Sequence, residues 1–177
     1  MGVLVAAVIV VGVLCLLDLL LTFGVIRRLR EHTALLASRH GETVVLGLGP
    51  GEAPAEFAAV STSGELLTGP AGFRLAAFFS STCPICPRRV PAFLEYVQAN
   101  RLSRDEVLAV VLAAEDETVP YAEGLADVAH VCLQPADGEL ATAFHVLGYP
   151  AFCLLDADGA VQLTGYDPAE LPAPVAA

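Results

Sequence analysis

The chain contains no lysine, and all nine of its basic residues are arginine. Set against twenty acidic residues, they leave a formal net charge of −11. So few cations argue against nucleic-acid binding, which needs positive side chains to neutralise phosphates. Cysteine is scarce too: five in 177 residues, too few to staple a chain of this length. A structural zinc site needs four ligands. Only one CxxC is present, Cys83 to Cys86, and no second CxxC or closely spaced histidine pair completes a set. No metal or other cofactor is expected. His32 and His40 are too far apart in sequence to suggest a shared site and read as surface residues. No motif ties His130 or His145 to a nucleophile, which leaves a hydrolase without support. There is no internal repeat.

What the chain does have is apolar residues, 55% of the total, with a mean hydropathy of +0.65. Much of that excess lies in Val3 to Ile26, long enough to cross a hydrocarbon core of ~30 Å. A cleaved signal peptide would want positive charge in front and a shorter run. Here Arg27, Arg28 and Arg30 follow the run, so residues 1–26 read as an uncleaved single-pass anchor in membrane lipid. Within it, Cys15 reads as a small apolar filler. Asp18 is expected to reach the interface or a partner helix. The arginine flank, taken alone, puts the rest of the chain in the cytoplasm. Residues 27–44 continue in helical style as a juxtamembrane segment, closed near Gly41.

Residues 45–177 read as one α/β domain. Short strands are expected at Val44–Leu46, at Phe57–Val60 and, across the Thr62–Glu65 turn, at Leu66–Leu67. Leu75–Phe79, Val107–Leu112, Val128–Leu133 and Ala151–Leu155 are apolar without alternation, as strands covered on both faces tend to be. Helices are expected between them at 84–100, 118–127 and 137–146. The first carries Val90, Phe93, Leu94 and Val97 on one face. Asp156–Gly159 turns the last strand back as a hairpin through Ala160–Leu163. Alternating strands and helices give a central mixed sheet flanked by helices. The proline-rich tail from Asp167 has room for about one turn of helix.

The stretch Leu75–Cys86 organises this domain: a buried strand, a loop, and two cysteines at the start of a helix. Positions i and i+3 of a helical turn are neighbours, at a spacing that suits a disulfide. A helix start favours an anion such as a thiolate, so the first cysteine should be the reactive one. If Cys83 is the N-cap, Pro84 takes the first helical position, where proline is tolerated. Pro87 and Pro91 would then each remove a helix donor and make the first two turns irregular. Arg88 and Arg89 either add positive potential near Cys83 or form a solvated face. Cys132 and Cys153 fall in predicted buried strands and read as core residues. Gly148-Tyr149-Pro150 precedes the strand Ala151–Leu155, where a proline is allowed and a cis bond can occur.

Cys83-Pro84-Ile85-Cys86, Pro91, Gly148-Tyr149-Pro150 and Leu154–Gly159 together resemble the thioredoxin superfamily, over about residues 45 to 166. The run Phe79–Cys86 behind an N-terminal anchor resembles its TlpA-like and MauD-like membrane-tethered members. The resemblance implies a thioredoxin-like fold and a thiol–disulfide oxidoreductase. It implies that Cys83 attacks, that Cys86 resolves, and that Tyr149 and a cis Pro150, with Pro84, line the groove for a protein partner carrying thiols or disulfides. It also implies an extracytoplasmic domain, opposite to the arginine flank. Three departures stand out. Ala77 occupies the place of thioredoxin's buried acid, Tyr149 replaces a frequent threonine, and the long C-terminal helix is missing or cut short. A peroxiredoxin is the main rival, but it would carry proline where Ala76 stands, although Ser80 fits its Thr/Ser position. A redox-inactive binding module on the same fold is the other, against which the intact cysteine pair speaks.

Overall fold

The computed structural model of the chain describes residues 1, 2, 4, 12, 47–114 and 117–174. The expected anchor over 1–26 (but for those four positions), the juxtamembrane segment over 27–44 and the strand at 44–46 lie outside the described residues. So do Cys15, Asp18, His32 and His40. Among the described residues no helix is long and apolar enough to cross a membrane. The chain divides into two units, Met1–Val44 and Val45–Ala177. The second unit begins with a small antiparallel hairpin, β1 (Ala58–Val60) and β2 (Leu66–Thr68). Gly64 supplies the positive φ of 85° that its turn requires.

The main sheet has five strands. They are β3 (Leu75–Ser80), β4 (Val107–Leu112), β5 (His130–Gln134), β6 (Ala151–Leu155) and β7 (Val161–Gly165). Their order is β5-β4-β3-β6-β7, parallel from β3 to β5 and antiparallel at β6 and β7. Every residue of β3, β4 and β6 is buried, as the unbroken apolar runs predict for strands covered on both sides.

Successive side chains of a strand point to opposite faces, and the sheet accordingly carries two cores. On one face Ala76, Phe78, Leu108, Val110, Cys132 and Cys153 pack under the β1–β2 hairpin and the short helix α3 (Glu139–Ala143). On the other, Leu75, Ala77, Phe79, Val111, Phe152 and Leu154 pack under α1 (Cys86–Ala99) and α2 (Pro120–Leu125). Phe79 lies 5.7 Å from both Phe93 of α1 and Phe152 of β6, ring centre to ring centre.

The tail after β7 forms a single 3₁₀ turn, Pro168–Glu170, and then runs across α1. Leu171 is buried against the α1 core, Tyr96 donates a hydrogen bond to the Pro172 carbonyl at 2.6 Å, and Arg89 pairs with Asp167 at 2.6 Å. The tail thus does part of the work of a longer helix. Beyond Val161, β7 is only half covered.

The start of α1 differs from expectation. Ile85 is the N-cap, so Cys86 is the first helical residue and Pro87 the second; Cys83 and Pro84 lie in the preceding turn. The reason lies in the prolines. A helix started at Pro84 would put Pro87 where a donor is needed. Starting at Cys86 moves Pro87 into the first turn, whose N–H groups have no intrahelical partner anyway. The Cys83 carbonyl accepts a turn hydrogen bond from the Cys86 N–H at 3.3 Å. Only Pro91 remains inside the helix.

Candidate active site

The register of the sheet assembles the site. Parallel pairing ends β3 and β4 together at Ser80 and Leu112, and the chain continues from Ser80 into the turn that carries Cys83. Antiparallel pairing sets Ala151, the first residue of β6, opposite Phe78. The Tyr149–Pro150 peptide, which is cis, therefore arrives beside the same end of β3. Cys83 Sγ faces the Tyr149 carbonyl at 3.5 Å. Tyr149 packs against both cores, and Pro150 is buried.

The two thiols, both free, differ in their surroundings. Cys83 is half-exposed, with Pro84 and Ile85 exposed after it, whereas Cys86 is wholly buried. The Cys86 N–H, at the head of α1, points at Cys83 Sγ from 3.2 Å. That first-turn N–H, shared with the Cys83 carbonyl, thereby also serves the outer sulfur, a placement suited to negative charge. The Cys86 thiol is pushed up to about 12, first by burial, then by its bond to Cys83. An outer sulfur can attack and an inner one stays protonated until the outer is modified.

Ser80 is the hub of the turn. Its carbonyl accepts the Cys83 N–H at 3.1 Å and the Tyr121 hydroxyl at 3.2 Å, and its own hydroxyl lies 3.0 Å from that of Thr82. Tyr121, from α2, rests on Phe79. Its phenol is pushed up to about 12, chiefly by burial, then by Cys86, Cys83 and Glu117. The Glu117 carboxylate accepts from the Ser81 hydroxyl at 2.8 Å and the Ala114 N–H at 3.1 Å. Sequence reasoning missed both Tyr121 and Glu117. Glu117 sits in the acidic run 115–117, and no spacing links it to the cysteines.

Other candidates lie elsewhere. Arg89 is engaged with Asp167, and Arg88 is exposed. Cys132 and Cys153 are buried in β5 and β6, their thiols pushed up to about 11 by burial. His130 opens β5 opposite Leu108, at the far end of the sheet. Its Nε2 is 3.2 Å from Asp105, and its Nδ1 is 2.9 Å from Glu65 without hydrogen-bond alignment. Among the described residues no three His, Cys, Asp or Glu side chains stand together as a metal site.

No protein-family model matches the chain, and no curated protein matches it significantly in sequence. Solved structures do match. A thio-disulfide isomerase from Thermus thermophilus is 20% identical with a TM-score of 0.54, over 68% of this chain and 87% of that one. The thioredoxin domain of a thiol-disulfide oxidoreductase from Bacteroides vulgatus is 17% identical with a TM-score of 0.55, over 68% and 90%. A proposed thiol:disulfide interchange protein, DsbE, from Chlorobium tepidum is 27% identical with a TM-score of 0.51, over 70% and 90%. With its β3–turn–α1 dithiol, its mixed sheet and its cis proline loop, the second unit of this chain has the thioredoxin-like fold.

Proposed function

We propose that the protein is a membrane-tethered thiol–disulfide oxidoreductase that exchanges disulfides with a protein partner through Cys83 and Cys86. The observation that carries this reading is the unequal pair: a half-exposed Cys83 sulfur served by the Cys86 N–H, and a Cys86 thiol wholly buried behind it. The similarity to structures named as thiol–disulfide proteins supports it. In the reducing direction, the Cys83 thiolate attacks one sulfur of a partner disulfide, and the partner's other sulfur leaves and takes a proton. Cys86 then loses its proton and attacks Cys83 Sγ. A Cys83–Cys86 disulfide forms, the partner's second sulfur leaves as a thiol, and two electrons have passed to the partner. Run backwards, the same steps oxidise a partner dithiol. The Tyr149 carbonyl and the exposed Pro84 form the edge against which the partner chain lies.

Trapping tests this. Cys86→Ser leaves Cys83 able to attack but removes the resolving thiol, so cells should accumulate a reducible adduct, and Cys83→Ser should abolish it. Mass spectrometry of the adduct names the partner. An empty trap, with purified protein reducing hydroperoxides, would replace this reading with the peroxiredoxin one. The tether rests on the apolar run before Arg27. The arginine flank and the thioredoxin-superfamily resemblance put Cys83 on opposite sides of the membrane. Labelling of intact cells by an impermeant thiol reagent means an outer domain; labelling only after lysis means an inner one.

A further inference from the structure

We propose that the outer edge of β5 is a docking site for an extended, basic segment of another polypeptide, which pairs with Leu133 as a short added strand. Neither cysteine of the dithiol takes part in it. β5 is the last strand on its side of the sheet. Ala113 donates its N–H to the Gln134 carbonyl at 2.9 Å. In a parallel ladder, alternate residues turn both backbone groups to the same neighbour. Cys132 and Gln134 therefore face β4, and Val131 and Leu133 face outward. The hairpin turn occupies the edge at Val131, whose carbonyl accepts the Thr62 N–H at 2.7 Å. Pro135, directly after the strand, has no N–H to offer. Leu133 lies between them, its N–H and C=O turned outward and its side chain 48% exposed. The opposite edge is covered instead: Val161 of β7 accepts from the Gly51 N–H at 2.7 Å and donates to the Glu52 carbonyl at 2.8 Å. An open edge is a template for pairing, which proteins ordinarily blunt with lysine, proline or a covering loop.

A lone exposed leucine needs no explanation, but two cavities meet at this one. The first, of about 440 Å³, is lined by Ala113, Ala114, Gln134 and Pro135 as well as by Leu133 and Glu117. The second, of about 400 Å³, lies against α2, where Ala122, Glu123 and Ala126 join Leu133 and Glu117. Their walls hold two carboxylates and no basic side chain. Neither carboxylate pairs with an arginine among the described residues. That charge decides the occupant. A second copy of this chain, paired edge to edge about a two-fold axis, would bring these glutamates up against their own images, on a chain of net charge −11. A basic segment meets them with lysine or arginine. Side chains of a strand alternate between faces. An apolar residue set opposite Leu133 therefore puts the residues two positions to either side on the α2 face, with Glu117 and Glu123. The sequence that fits is basic, any, apolar, any, basic, with backbone bonds giving affinity and the flanking charges giving selectivity.

The probe is a capped peptide, Lys-Thr-Val-Thr-Lys, added to the purified full chain in detergent while NMR follows the backbone amides. In the free chain the Leu133 amide should exchange with solvent faster than those of Cys132 and Gln134, which β4 holds. The peptide should shift the Leu133 amide and slow its exchange, saturably, and less so as salt is added. Glu-Thr-Val-Thr-Glu should bind about tenfold more weakly. The lysine peptide N-methylated at valine, unable to donate to the Leu133 carbonyl, should bind about fivefold more weakly. Leu133→Pro removes the outward N–H together with the leucine side chain, a change an edge strand tolerates, and should abolish binding at an unchanged urea midpoint. Glu123→Gln lies outside the ladder, serves if the proline chain fails to fold, and should weaken binding about threefold. A Leu133 amide indifferent to the lysine peptide, or one that responds equally to the glutamate peptide, overturns the assignment. So do peptide-induced changes confined to Cys83–Cys86 and Tyr149. Protection of the Leu133 amide that grows with protein concentration alone would put a second copy on this edge in place of a basic partner.

Discussion

At the scale of single residues, the candidate site is marked by one difference, the exposure of two sulfurs three positions apart. Cys83 is half-exposed and Cys86 is not exposed at all. Iodoacetamide added to the reduced native protein should therefore modify Cys83 and spare Cys86, Cys132 and Cys153 until denaturant is added. Peptide mass mapping reads the outcome, and equal labelling of Cys83 and Cys86 would remove the basis for the order of attack. The cysteines and the Gly148-Tyr149-Pro150 run are legible in the sequence because their chemistry needs particular residue types at close spacing. The Ser80 carbonyl is not, because any residue could supply it. Tyr121 and Glu117 escape for a related reason: they reach the site through the end of β4 and the start of α2, and tertiary packing alone sets them beside Ser80 and Ser81.

At the scale of elements, β3, β4 and β6 could be placed closely because unbroken apolar runs mean burial on both faces. The hairpin turns could be placed because Gly64 and Gly159 adopt positive φ. The start of α1 could not. Two prolines three apart allow two phases for the helix, and only the energetics of missing donors chooses between them. α3 is shorter than its apolar pattern suggests, ending at Ala143 before His145, which takes a positive φ of 51°. The tail is the other surprise: it offers almost no helical length, yet it is fastened to α1 at three points. Tyr96→Phe removes one of them and should cost about 1 kcal/mol, the net worth of a part-buried hydrogen bond. Urea unfolding of the two chains measures it. No change in midpoint would mean that Leu171 and the Arg89–Asp167 pair hold the tail unaided.

For the whole molecule, the two cores carry a pH signature. Cys132 and Cys153 are raised from 9.0 to about 11 by burial. Above about 9 the unfolded chain therefore binds fewer protons at these thiols than the native one. Stability that is intact below that pH should fall as pH climbs through about 11, and a Cys132→Ala, Cys153→Ala chain should fall less steeply. Urea midpoints at stepped alkaline pH test this, and identical slopes would count against it. The antiparallel entry of β6 has a further consequence, for the order of synthesis. Cys83 and the Tyr149 carbonyl that faces it are 66 residues apart. Phe152 and Leu154, which help enclose Cys86, leave the ribosome later still. A growing chain ending short of Pro150 thus lacks both the carbonyl that faces Cys83 and the β6 side chains that complete the cover over Cys86, so the full difference between the two sulfurs waits until β6 slots in beside β3.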